Sequence, residues 1–175
     1  MSNLLRTIYT SRWMLHADAV TGYLPLVAQL IKGNSVSFNQ HPEKVNYIVK
    51  ARGESDGDGR PVNGRVAVIP IRGAIMKASQ ECGPAGLEEK HHYLQDCLED
   101  SSISAIVLDV DTPGGQVAFL ETFTNTISTA EKPVLCYYNN LCASAGYYIA
   151  SSCDEIYASE KSDEVGCIGT MATLQ

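Results

Sequence analysis

Ile103 to Val110 (Ile-Ser-Ala-Ile-Val-Leu-Asp-Val) is apolar nearly throughout. A strand with one solvated face alternates apolar and polar residues. A run this unbroken is expected of a strand covered on both faces, inside a parallel sheet. The rest of the chain supports that frame. Val66–Ile71, Val134–Tyr138 and Asp154–Ala158 are further strand candidates, and Val165–Gly169 starts a fifth. Between them lie helical patterns. Leu87, His91, Leu94 and Leu98 share one face over 87–100. Phe119, Phe123 and Ile127 share another over Gln116 to about Ala130, and Ser144–Ser151 makes a third helix. Strands alternating with helices predict an α/β domain with a mostly parallel sheet.

The 175 residues, 45% of them hydrophobic, suit one domain or one domain plus an extension. Residues 1–64 read as that extension, mostly helical up to about residue 50. Leu24, Val27, Ala28 and Ile31 recur at helical spacing, and Gly33-Asn34 is a stop signal. The turn-rich polar stretch Ala51–Pro61 reads as a linker before a core over 65–175. Asp56-Gly57-Asp58-Gly59 faintly resembles a calcium loop. Arg60 stands where a third ligand belongs and no glutamate closes the loop, so a solvated loop is expected. Neither a metal nor a cofactor is expected.

A net charge of −7 disfavours phosphate backbones, so no nucleic acid is expected as a partner. No segment approaches the roughly 20 apolar residues of a membrane span. Arg6 and Arg12 interrupt the only apolar residues near the N-terminus, so neither a signal peptide nor membrane insertion is expected. The cysteines, Cys82, Cys97, Cys136, Cys142, Cys153 and Cys167, form no C-x-x-C pair. They read as free thiols of a reducing cytoplasm.

Two turns carry candidate chemistry. Asp111-Thr112-Pro113-Gly114-Gly115 follows the buried strand. Pro113 lacks an N–H, and the glycines keep side chains away, so the turn can aim a backbone N–H at a carbonyl oxygen. The second turn, Cys142-Ala143-Ser144-Ala145-Gly146, places one serine among small residues where a strand gives way to a helix. Helix capping explains Ser144 on its own. With the glycine turn beside it, at the strand ends where open α/β sheets bind ligands, Ser144 becomes a candidate nucleophile.

"VLDVDTPGGQV" followed by "CASAGYYIA", together with "VAVIPIRGAI" and "EVGCIGT", resembles the SppA-type serine peptidases (family S49) of the ClpP/crotonase superfold. The resemblance spans roughly residues 65–175. It implies peptide hydrolysis through an acyl-enzyme on Ser144, with an oxyanion hole made by the N–H of Ala145 and one of the Gly114 and Gly115 N–H groups. The family usually has glycine at 145 and serine at 167; alanine and cysteine stand there here. It also implies a lysine base roughly fifty residues beyond the serine, past Gln175, so the base is expected outside this chain segment and the segment itself is expected to be truncated. Lys161 reads as a surface group. His16, His41, His91 and His92 all precede Ser144, against the order of a ClpP-type triad. The N-terminal "SRWMLHADAVTGYLPLVAQLIKG" resembles phage-encoded members. It implies a bacterial, prophage-encoded, cytoplasmic protease acting on capsid or scaffold proteins. Homo-oligomers are usual in the superfold. Tyr137-Tyr138 and Tyr147-Tyr148 bracket the site, as packing or as a groove. Two other uses of the same fold are a noncatalytic assembly module and a crotonase-like acyl-CoA enzyme.

Overall fold

The computed structural model describes residues 6, 8, 10–32, 47–50, 64–79 and 86–169. The calcium-like loop, His41, Cys82 and the last six residues lie outside them. In chain order the elements are β1 (Trp13–Leu15), α1 (Ala17–Ile31), β2 (Tyr47–Lys50), β3 (Arg65–Arg72), α2 (Leu87–Glu99), β4 (Ile103–Thr112) and β5 (Gly114–Gln116). They continue with α3 (Leu120–Ser128), β6 (Val134–Ala143), α4 (Ala145–Ala150), β7 (Glu155–Ala158) and β8 (Glu164–Gly166).

The main sheet runs β2-β3-β4-β6-β7, with β8 also on β6. Every pairing in it is parallel except β2 with β3. The predicted α/β architecture with a mostly parallel sheet is therefore what forms. Register puts Ala67, Ile69, Ile71, Ile106, Leu108, Val110, Val134 and Cys136 on one face. These join Leu87 and Leu94 of α2, Leu120, Phe123 and Ile127 of α3, and Ile149 of α4 in one core. Each fully buried aliphatic side chain there contributes about 1.5–3 kcal/mol.

Three expectations need correction. In the N-terminal region, read as mostly helical, α1 bears out the Leu24–Ile31 periodicity, but Trp13–Leu15 and Tyr47–Lys50 are strands that the reading lacked. Tyr47–Lys50 extends the main sheet as its edge, so the core sheet begins before residue 65. The helix expected from Gln116 starts only at Leu120, because Gln116 belongs to β5 and Phe119 takes a left-handed conformation at φ 75°. Lastly, among the described residues β4 is covered by helices on one face only. On the other, Ala105 and Val107 are half-buried and Tyr137 of the neighbouring strand is exposed.

That second face carries an ion pair. An Arg72 guanidinium nitrogen lies 2.5 Å from Asp109 Oδ2, and another lies 3.6 Å from Asp111. Asn140 Nδ2 donates to Asp111 Oδ1 at 3.0 Å. Asp109 is 7% exposed, and its Oδ1 is buried with no hydrogen-bond partner among the described residues. Arg72→Ala would strand that carboxylate. Removing a partner of a fully buried pair costs about 3–5 kcal/mol. Arg72 is partly solvated, so a loss of about 2 kcal/mol in urea unfolding is expected, with partial recovery on adding Asp109→Asn.

Candidate active site

The site forms where β4 and β6 end side by side. Past Thr112 the chain turns through Pro113 into Gly114, whose φ of 99° suits only glycine. Thr112 fastens this turn: its hydroxyl donates to the Gly73 carbonyl at 2.5 Å and accepts the Gly114 N–H at 3.1 Å. The Gly114 N–H is thereby used inside the turn. On one edge of β5, Gly114 O accepts from Ile75 N–H at 2.9 Å and Gln116 N–H donates to Ile75 O at 2.8 Å. The Gly115 N–H faces the opposite edge, toward β1.

From the other side comes β6. Its pairing with β4 shifts register between Val110 and Thr112, and Asn140 sits at φ 79° within that irregularity. Asn139 and Asn140 thus bend one continuous strand. Beyond it Cys142 lies opposite Thr112, and β8 pairs with Leu141–Ala143. The bend delivers Ser144 to the mouth of the glycine turn.

Ser144 has φ 55° and ψ −114°. A side chain rarely adopts this backbone shape, at a cost of about 1–3 kcal/mol. It is held from both sides: Ser144 N–H donates to Gly166 O at 2.9 Å, and Ser144 O accepts from Tyr148 N–H at 2.9 Å. Its side chain makes no capping hydrogen bond to α4, so the capping role fails. Ala145 opens the helix, where a backbone N–H has no partner within the helix. Gly146 lets α4 close on β4, since a Cβ there would run into Thr112 Cγ2.

The turns converge. A Cβ placed on Gly114 would lie 2.9 Å from Ser144 Cβ and 3.0 Å from Ala145 N, and would strike the Met14 carbonyl oxygen. Ser144, Ala145 and Gly114 therefore meet in one small volume, with the Met14 carbonyl oxygen beside them. Not expected there was Met14. β1 pairs antiparallel with β5, Met14 opposite Gly115. The short strand was hidden in a stretch of mixed residues that carries no alternating pattern.

Two cavities flank this point. One of about 410 Å³ is lined by His16, Leu141, Ala143, Asp163, Gly166 and Cys167 among others. The other, about 430 Å³, is lined by Met14, Val117, Phe119, Leu120, Glu121, Thr122 and Tyr148. Among the described residues no lysine lines either. Lys77 pairs with Glu88 at 3.4 Å, Lys132 donates to the Cys97 and Asp100 carbonyls, and Lys161 is exposed. His16 precedes Ser144 in the chain, against the order of a ClpP-type triad, yet folding brings it to a cavity that Ala143 also lines. His91 is buried in α2, 2.8 Å from Thr126 Oγ1 and edge-on to Phe119; burial first, then the charge of His92, lowers its pKa. Cys142 is fully buried and in contact with Cys136, and that contact with burial pushes the Cys136 thiol up. Burial pushes Cys153 up to about 12. These thiols are packing groups. Of the described residues, no group of three or more His, Cys, Asp or Glu is placed to hold a metal ion, and no helix is long and apolar enough to cross a membrane.

The family profile described as NfeD1b, N-terminal domain, matches residues 66–172. Protease 4 of Salmonella typhi is 32% identical over 117 residues, covering 64% of this chain and 19% of that protein. Capsid assembly protease C of Escherichia phage lambda is 30% identical over 112 residues, covering 61% and 25%. Among solved structures, the 1510-N membrane protease specific for a stomatin homolog from Pyrococcus horikoshii is 28% identical, covers 52% of this chain and 43% of its own, and superposes with a TM-score of 0.43. The chain spans about a fifth of the length of the first curated relatives it matches. By the profile match over residues 66–172, the chain belongs to the NfeD1b N-terminal domain family, and its sequence is similar to that of SppA-type S49 peptidases.

Proposed function

We propose that this chain carries the nucleophile and oxyanion hole of a serine endopeptidase. The observation behind this reading is the backbone of Ser144, held at φ 55° against the Gly114 turn. A noncatalytic module would have no use for that strain. In the reaction Ser144 Oγ attacks the scissile carbonyl carbon while its proton passes to a base. The carbonyl oxygen becomes the oxyanion, held by the N–H groups of Ala145 and Gly115, because that of Gly114 is engaged by Thr112. The base then protonates the leaving amine as the C–N bond breaks, and water hydrolyses the ester on Ser144. The base in this reading is a lysine outside the described residues. The partners are protein or peptide substrates, with processing of phage capsid or scaffold protein as the setting, inside a bacterial cytoplasm, and with the chain in a homo-oligomer.

The test is phosphonylation of the whole natural protein by a fluorophosphonate, followed by peptide mass mapping. A single adduct on the peptide carrying Ser144 is expected, at an unchanged rate in His16→Ala. An adduct elsewhere, or none, overturns the reading; loss of labelling in His16→Ala would replace the lysine with a histidine.

A further inference from the structure

β5 has two edges. One is closed by Ile75. The other, which carries the Gly115 N–H, is closed by residues of the same chain more than ninety positions upstream, in the antiparallel register Trp13–Gln116, Met14–Gly115, Leu15–Gly114. His16 N–H donates to Pro113 O at 2.8 Å and Val117 N–H donates to Arg12 O at 2.9 Å. Hydrogen-bonded pairs alternate along an antiparallel ladder, so Met14 and Gly115 form the bonded pair between these two. The Gly115 N–H is thereby aimed at the Met14 carbonyl oxygen. That oxygen reaches the same point beside Gly114 that Ser144 Cβ and Ala145 N approach.

The Met14 side chain adds to this. It is half-buried, packs against the core, and lines the cavity with Val117, Phe119, Leu120 and Tyr148. The attachment is short. β1 has three residues, reinforced by Gln116 Nε2 donating to Ser11 Oγ at 2.5 Å. α1, which follows it, leaves Val20, Leu24 and Ile31 exposed. An extended peptide offers the same row of donors and acceptors to a strand edge, with alternate side chains free to fill pockets.

We propose that Trp13–Leu15 is a built-in pseudosubstrate, resting on the peptidase reading above. It lies on the edge of β5 where a substrate strand adds, with Met14 in the place of a substrate's apolar side chain. The substrate class is then an extended peptide with a side chain of methionine or leucine size in the Val117–Phe119–Leu120–Tyr148 cavity. β1 has to leave before such a peptide enters.

Binding tests this without catalysis. A fluorescein-labelled peptide of residues 11–18 is titrated against the full chain, Met14→Pro, which removes one ladder N–H, and Met14→Asp, which places charge in the apolar cavity. A segment docked nine-tenths of the time lowers apparent affinity for a competitor about tenfold. Both variants are therefore expected to bind the peptide at least about tenfold more tightly than the unaltered chain. Trp13, the single tryptophan, reports release as a red-shifted emission. Hydrogen exchange at the Gly115 and Val117 amides, the two that face β1, is expected to be slow in the unaltered chain and fast in the variants. Equal peptide affinity in all three proteins, or fast exchange at the Gly115 and Val117 amides in the unaltered chain, overturns the proposal. The exchange measurement stands even if a variant fails to fold. Tight peptide binding without any Ser144 phosphonylation would remove the peptidase reading and keep the docking site. Phosphonylation with equal peptide binding would do the reverse.

Discussion

Ser144→Gly is expected to abolish phosphonylation and to raise the melting temperature at once. The two effects have separate origins. Loss of the hydroxyl removes the nucleophile, so acylation falls by at least about 10³-fold, as for other nucleophile deletions. Stability responds to the backbone. At φ 55° and ψ −114°, Ser144 carries about 1–3 kcal/mol of strain that glycine does not feel. Glycine's larger unfolded-state entropy offsets about 0.5–1 kcal/mol of the relief. A net gain of about 1 kcal/mol remains, or about 2–4 °C for a chain of this size. Ser144→Ala separates the two: it loses acylation equally but keeps a Cβ in the same backbone, so its melting temperature stays within about 1 °C of the parent. Calorimetry on the three proteins decides. If the glycine variant melts at or below the alanine variant, Ser144 is not strained, and the main support for its role is gone.

This strain also marks the limit of what the sequence could disclose. Ala-Ser-Ala-Gly says that space is kept around a serine, and Pro-Gly-Gly says that a turn is kept clear of side chains. Both are local statements, and both turns stand where they were read. The Asn140 bend and the Thr112 hydroxyl were not legible, because each acts across strands. The bend follows from a register shift between β4 and β6. Thr112 matters because the carbonyl of Gly73, thirty-nine positions earlier, accepts its hydroxyl hydrogen bond. The parallel sheet was readable from apolar runs of four to eight residues. The half-open second face was not, since Val107 and Leu108 look alike in a sequence although only one lies under the helices. β1 was the deepest omission. Its pairing partner lies about a hundred residues away, and three residues carry too little alternation to be told from a helix.

Gly115→Ala is expected to be strongly destabilising for the addition of one methyl group. Gly115 is glycine for want of room. A Cβ there would strike the Ile75 carbonyl oxygen and lie 2.5 Å from Ile75 N and 2.7 Å from Ile75 C. These are backbone atoms, so no rotamer change relieves the contact. Ile75 cannot retreat without stretching its two hydrogen bonds to β5, Ile75 N–H to Gly114 O and Gln116 N–H to Ile75 O. Overpacking costs about 1–3 kcal/mol, and each weakened backbone bond adds about 1 kcal/mol. Less glycine's entropic penalty, a net loss of about 3 kcal/mol is expected, lowering the melting temperature by about 6–12 °C. The same shift would move the Gly115 N–H relative to Ser144, so phosphonylation should slow by about 10²-fold in the molecules that remain folded, the effect of one lost oxyanion donor. Equilibrium urea unfolding and adduct kinetics below the transition measure the two separately. A stability loss with an unchanged labelling rate would mean that the Gly115 N–H holds no oxyanion, and would return that role to Gly114.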